Sequence, residues 1–212
     1  MAKKSTTKIE GEYFTHKVLW QCALHQMEAG RSTNKGGRLY FDMATMLMVF
    51  LTYEAYLNFL GNHVAPEIWR NERIYFSKPP YVGVNGKLKK ILEVCGNINV
   101  DKGKRPYQTI QELRKLRDFL SHGKPIKFGK TISHHVDHDP PLFDTGLSKY
   151  ITPRKAERAI KDTEQFIESL YKDARLYAKR MYKGNLSRTW DIIFYGDKAL
   201  NGPIEYSSAH SL

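Results

Sequence analysis

From Thr152 to Gly184 the chain has little conformational choice. Ala156, Ile160, Thr163, Ile167, Leu170, Ala174, Tyr177 and Met181 recur at alternating spacings of four and three. That period places them on a single seam of one long helix. Thr152 is positioned to cap its N-terminus, and Pro153 suits the first helical position. About thirty residues at a rise of roughly 1.5 Å give a rod about 45 Å long. Its seam needs partner helices along that length, so one long helix of an antiparallel bundle is expected rather than a free-standing coiled coil.

The other segments supply such partners. Residues 10 to 29 read as a helix with Phe14, Val18, Leu19, Cys22, Ala23 and Met27 on one stripe before Gly30. "RSTNKGGR" reads as a loop. Residues 40 to 60 form a second helix that is apolar on nearly every side and stopped by Gly61. Such a helix is buried or sits in a subunit interface. Its polar exceptions, Glu54 and Asn58, lie four apart, as a hydrogen-bonding pair or as support for a site.

A short helix is expected within 66 to 76, followed by irregular chain at "KPPYVGVNG". Further helices are expected at about 87 to 95 and 107 to 122. A long break spans 123 to 150, and breaks of this length are often functional or disordered. The expectation is an all-α fold: a helical domain over 1–184 and a short irregular tail over 185–212. "WDIIFY" in that tail reads as a strand or a docking segment.

Charge narrows the partners. Thirty-four Lys and Arg oppose twenty-two Asp and Glu, a net charge of +12. Nucleic acid is the first partner class this favours, and an anionic membrane surface the second. Two cysteines, Cys22 and Cys95, are too few for a disulfide framework or a cysteine-based zinc site. The N-terminus has no apolar signal core, and "MATMLMVFLTY" at 43 to 53 reads as too short to span a bilayer. A cytoplasmic protein with no membrane partner is expected. No glycine-rich phosphate loop is present, because "NKGGR" lacks the spacing and the context.

"LRDFLSHGKP" at 116 to 125 carries the chemistry. Ile110, Leu113, Leu116 and Leu120 cover one arc of the helix at 107 to 122, and Arg117 falls within it. An arginine directed at a core or an interface is costly unless paired, for instance with Glu54. His122 lies five residues later, about 140° away on a regular helix. Gly123 suits the position where the helix ends, which frees the His122 side chain to turn. The negative end of the helix dipole favours a protonated imidazole there. An imidazole near neutrality moves protons, and a guanidinium holds phosphate. Together they suit metal-free cleavage of a phosphodiester, with no cofactor.

"RDFLSH" at the end of a helix resembles the R-x4–6-H signature of the HEPN family. The segments before it, "YEAYLNFLG" and "KLKKILEVCG", and the "GKP" and long helix after it match that family's order over roughly residues 10 to 182. The resemblance implies a metal-independent endoribonuclease in which Arg117 and His122 are the catalytic pair. Asp118 would occupy the polar second position, often Asn in the family, where an unpaired charge would compete with RNA phosphate. It also implies a homodimer with the two motifs facing each other, acting as a toxin, stress or anti-phage effector with an antitoxin or regulatory protein as partner. Other HEPN domains are catalytically silent and bind RNA, a nucleotide or a protein partner.

Two further features bear on this expectation. From Lys87 to Lys130, twelve Lys and Arg face four acids, so two-thirds of the net charge surrounds the motif helix. Lys102, Lys104, Arg105, Lys124 and Lys127 are the expected RNA contacts, with Tyr107 and Phe128 as stacking surfaces. "SHHVDHD" sets His134, His135 and His138 beside Asp137 and Asp139. Pro140 and Pro141 argue against a helical ligand pair there, and the expected reading is a polar loop without metal.

Overall fold

The computed structural model describes residues 8–33, 35–96, 100–123, 147–181, 200 and 205–210. Among them are helices α1 (Thr15–Arg31), α2 (Lys35–Val64), α3 (Pro66–Trp69), α4 (Glu72–Tyr75), α5 (Gly83–Val94), α6 (Tyr107–His122) and α7 (Pro153–Met181). A 3-10 turn at Leu147–Lys149 precedes α7. The class is all-α, as the periodicity implies.

Helix α2 is the centre of the bundle. It packs against α1, α3, α5, α6 and α7, and its Val49, Phe50, Tyr53, Leu57 and Leu60 are sealed from solvent. Five helix neighbours explain why its sequence is apolar nearly all round. Burial holds the Tyr53 and Tyr56 phenols well above the ordinary tyrosine range, so both stay neutral. The helix is longer than its apolar run suggests. Gly37–Val64 is long and apolar enough to cross a membrane by length and composition, which corrects the reading of 43 to 53 as too short; half of its 18-residue apolar window is buried by the chain itself.

Three glycines read as loop or helix stop behave otherwise. Gly36 and Gly37 lie inside α2, so the chain from Lys35 to Arg38 is helix and not loop. Gly61 does not stop α2. A Cβ at that position would fall 2.0 Å from the Trp69 ring, so glycine is there to let the indole lie against the helix backbone.

Helix α1 begins at Thr15, five residues later than the sequence suggests, because residues 8–13 are strand β1 (Lys8–Tyr13). It pairs antiparallel with β2 (Glu205–His210), in register from Lys8 against His210 to Tyr13 against Glu205. The tail expected to be irregular therefore contributes a regular strand, and Leu200 is buried in the core. "WDIIFY" lies outside the described residues. The buried face of α1 carries His16, Lys17, Trp20, Ala23 and Gly30, while Cys22 is exposed. The face is rotated from the expected stripe because Trp20, the largest apolar residue of the helix, turns into the bundle.

Helix α7 follows its sequence closely. The Thr152 hydroxyl accepts from the Lys155 amide at 3.2 Å, and the seam from Ala156 to Ala174 is buried. Ala159, Phe166, Tyr171 and Ala178 widen that seam, and Met181 at its end is exposed. Helices α6 and α7 run antiparallel. Thr109 meets Asp162, Glu112 meets Arg158, and Phe119 meets Tyr150 ahead of the helix.

Candidate active site at the end of helix α6

Helix α6 is anchored by Ile110, Leu113 and Leu116, which are buried, and ends where Gly123 turns left-handed at φ 31°. That turn is the C-terminal stop the sequence suggests, reached without the strain that a Cβ would add. His122 remains the last helical residue and is exposed.

Arg117 points the other way, towards α2. Its guanidinium carbon lies 5.1 Å from the centre of the Phe50 ring, and Nη2 is 3.9 Å from the Glu54 carboxylate. Nη1 is 3.1 Å from Asp118. Its Nε is buried without a hydrogen-bond partner among the described residues. A cation over an aromatic face and beside two carboxylates is stabilised where a lone guanidinium would not be. Asp118 is also approached by Arg114 at 3.7 Å, so its charge is shared between two arginines. Because α6 stays regular through His122, Arg117 and His122 keep faces about 140° apart. One chain does not bring the pair together.

Glu54 and Asn58 do not pair with each other. Glu54 faces Arg117, while the Asn58 side-chain carbonyl accepts from Lys87 Nζ at 2.6 Å. Lys87 is nearly buried, with Glu72 at 3.3 Å as its counterion.

The expected RNA contacts separate into three groups. Lys102 is exposed on a cavity of about 540 Å³ that also involves Pro79, Pro80 and Tyr107. Lys104 is exposed and pairs with Asp101 at 3.4 Å. Arg105 makes two parallel bonds to Asp162, of 2.6 and 2.7 Å, with Thr109 donating to the same carboxylate. It ties the start of α6 to α7 and is not a free phosphate ligand. Burial pushes the Asp162 carboxyl up, but the bonds from Arg105 and Thr109 outweigh it and hold it below the usual range. Tyr107 is half-buried against Phe166, 6.3 Å between ring centres, and lines the same cavity as Lys102. Lys124, Lys127, Phe128, His134, His135 and His138 lie outside the described residues. Among the described residues no group of three or more His, Cys, Asp or Glu is placed to hold a metal ion.

Three features escape sequence reasoning. Phe119 and Tyr150 stack face to face, 5.6 Å apart, while 40% and 53% exposed. A cavity of about 490 Å³ at the start of α7 is lined by Arg105, Arg154, Lys155, Arg158 and Lys161. The spacing of Arg154, Arg158 and Lys161 at four and three is the one signal that marks it in the sequence. The third is His16, buried against Phe14, Tyr56 and Phe59. Burial first, then the charges of Lys17 and His63, depress its imidazole to about 3.

No protein-family model, curated protein or solved structure matches this chain.

Proposed function

We propose that this chain is a HEPN-like, metal-independent endoribonuclease that works as a cytoplasmic homodimer, in the manner of a toxin, stress or anti-phage effector. The observation that carries the reading is the terminus of α6. An exposed imidazole occupies the last turn, closed by a left-handed glycine, one turn beyond a half-buried arginine with carboxylates on two sides. The 140° between Arg117 and His122 argues for two chains, since a second α6 can supply the missing group across a two-fold axis. The apolar breadth of α2 is met within one chain and lends dimerisation no support.

In this reading His122 of one chain removes the 2′-hydroxyl proton as that oxygen attacks phosphorus. The bond to the 5′-oxygen breaks, and His122 of the other chain returns a proton to it. Arg117 stabilises the charge that builds on the non-bridging oxygens. The products are a 2′,3′-cyclic phosphate and a 5′-hydroxyl. Purified protein is offered structured and unstructured RNA with and without EDTA. Cleavage that survives chelation, leaves cyclic ends and disappears in His122→Ala supports the mechanism. Loss of wild-type activity in EDTA overturns it and returns attention to His134, His135 and His138.

A second reading has one specific observation in its favour. Phe50, Glu54 and Asp118 already engage Arg117, as they would in a catalytically silent HEPN-like domain that binds RNA, a nucleotide or a protein partner. RNA binding without cleavage by the wild type selects it.

A further inference from the structure

The cleft at the start of α7 has no part in the catalytic reading above. Arg154, Arg158 and Lys161 fall on one side of α7, and Arg105 reaches across from the start of α6 to complete the wall. Three carboxylates stand among these cations. Asp162 is turned inward, its side chain 4% exposed and bonded to Arg105 and Thr109. Glu112 is bound by Arg158, and Glu157 lies 3.9 Å from Arg31 on α1. Five cations, Lys155 among them, against three carboxylates leave the cleft positive. No ion pair holds Arg154 or Lys161 among the described residues, and both are exposed. The acid–base pairs hold the arginines in fixed positions, which lowers the entropy that a bound anion would otherwise have to offset.

The exposed ring stack adjoins the cleft along the chain, Tyr150 standing two residues before Thr152. Thr152 lines the cleft, and Lys155 donates to the Lys149 carbonyl, with Tyr150 between those two positions. Glu112 and Phe119 lie on the side of α6 that meets Arg158 and Tyr150, and His122, three residues after Phe119, lies about 60° round the helix from it. Cations, then a pair of open aromatic faces, then the imidazole therefore succeed one another along α6, the last on the neighbouring face. Phosphate contacts beside aromatic faces suit a single strand with splayed bases rather than a duplex.

We propose that Arg154, Lys155 and Lys161, in the cleft walled by the paired Arg105 and Arg158, bind the phosphate backbone of single-stranded RNA and lead it over Phe119 and Tyr150 towards His122. This rests on the RNA reading above, but it concerns binding and is tested apart from cleavage. In a His122→Ala background, a fluorescent single-stranded oligonucleotide is titrated at several salt concentrations by anisotropy. Adding Arg154→Glu and Lys161→Glu should flatten the salt dependence by about 1.4, because each lost contact to a single strand removes a slope of roughly 0.7. Tyr150→Ala should weaken single-stranded binding about five-fold or more and leave duplex binding unchanged. Tight RNA binding with the same slope in the double variant overturns the cleft while leaving the ribonuclease reading intact. Equal weakening of single strands and duplex, with no effect of Tyr150→Ala, overturns the single-stranded path. No RNA binding even at low salt removes both this proposal and the reading it rests on.

Discussion

His16 makes the stability of this protein depend on pH in a way that can be worked out in advance. Its imidazole is 2% exposed, ringed by aromatics, and held neutral down to about pH 3 by burial. In the unfolded chain the same group titrates near 6.5. As pH falls below 6.5 the unfolded state takes up a proton that the folded state refuses, so stability falls with pH. The contribution is fully present above 6.5 and is lost progressively down to about 3. Between pH 7 and pH 5 the loss is about 2 kcal/mol, since each pH unit below 6.5 costs about 1.4 kcal/mol. That figure depends on the unfolded value and barely on the folded one, because any native value below 4 leaves the ring neutral at pH 5. The perturbation is His16→Phe, which keeps an aromatic ring against Phe59 and Tyr56. Urea unfolding of both proteins at pH 7 and pH 5 cancels every other titrating group. The wild-type midpoint should fall by about 1 M more than that of the variant, for a denaturant slope of about 2 kcal/mol/M. Parallel shifts in the two proteins would refute the neutral, buried imidazole.

Three further outcomes follow from the packing. Gly61→Ala should lower stability by about 3 kcal/mol in urea unfolding, because its methyl would occupy the space of the Trp69 ring. Asp162→Asn should cost about 2 kcal/mol at pH 7, since it leaves Arg105 and Thr109 without their shared carboxylate. Because the folded Asp162 carboxyl lies below its usual range, that difference should shrink as pH drops through the carboxylate region. A thiol reagent should label one cysteine rapidly in the native protein: Cys22 is exposed, while burial pushes the Cys95 thiol up to about 12.

Local chemistry made much of the frame legible in the sequence. The seam of α7, its Thr152–Pro153 start, the limits of α6 and the stop at Gly123 each depend on residues within a few turns of one another. Helical period and capping are local interactions, so a single sequence carries them. The closeness of Arg117 to Glu54 was legible in part, because an arginine on an apolar arc needs a carboxylate partner.

What only the tertiary structure decided depends on residues far apart in the chain. Gly61 looks like a helix stop until Trp69 fills the space beside it. Residues 10–13 look helical until Glu205–His210 arrive to pair with the strand they belong to. Arg105 looks like a phosphate ligand until Asp162, on the antiparallel α7, claims two of its nitrogens. The succession from the basic cleft through Phe119 and Tyr150 to His122 has the same origin. Each member sits on a different turn or helix, and packing energy between helices, which no local pattern encodes, sets which side chains meet.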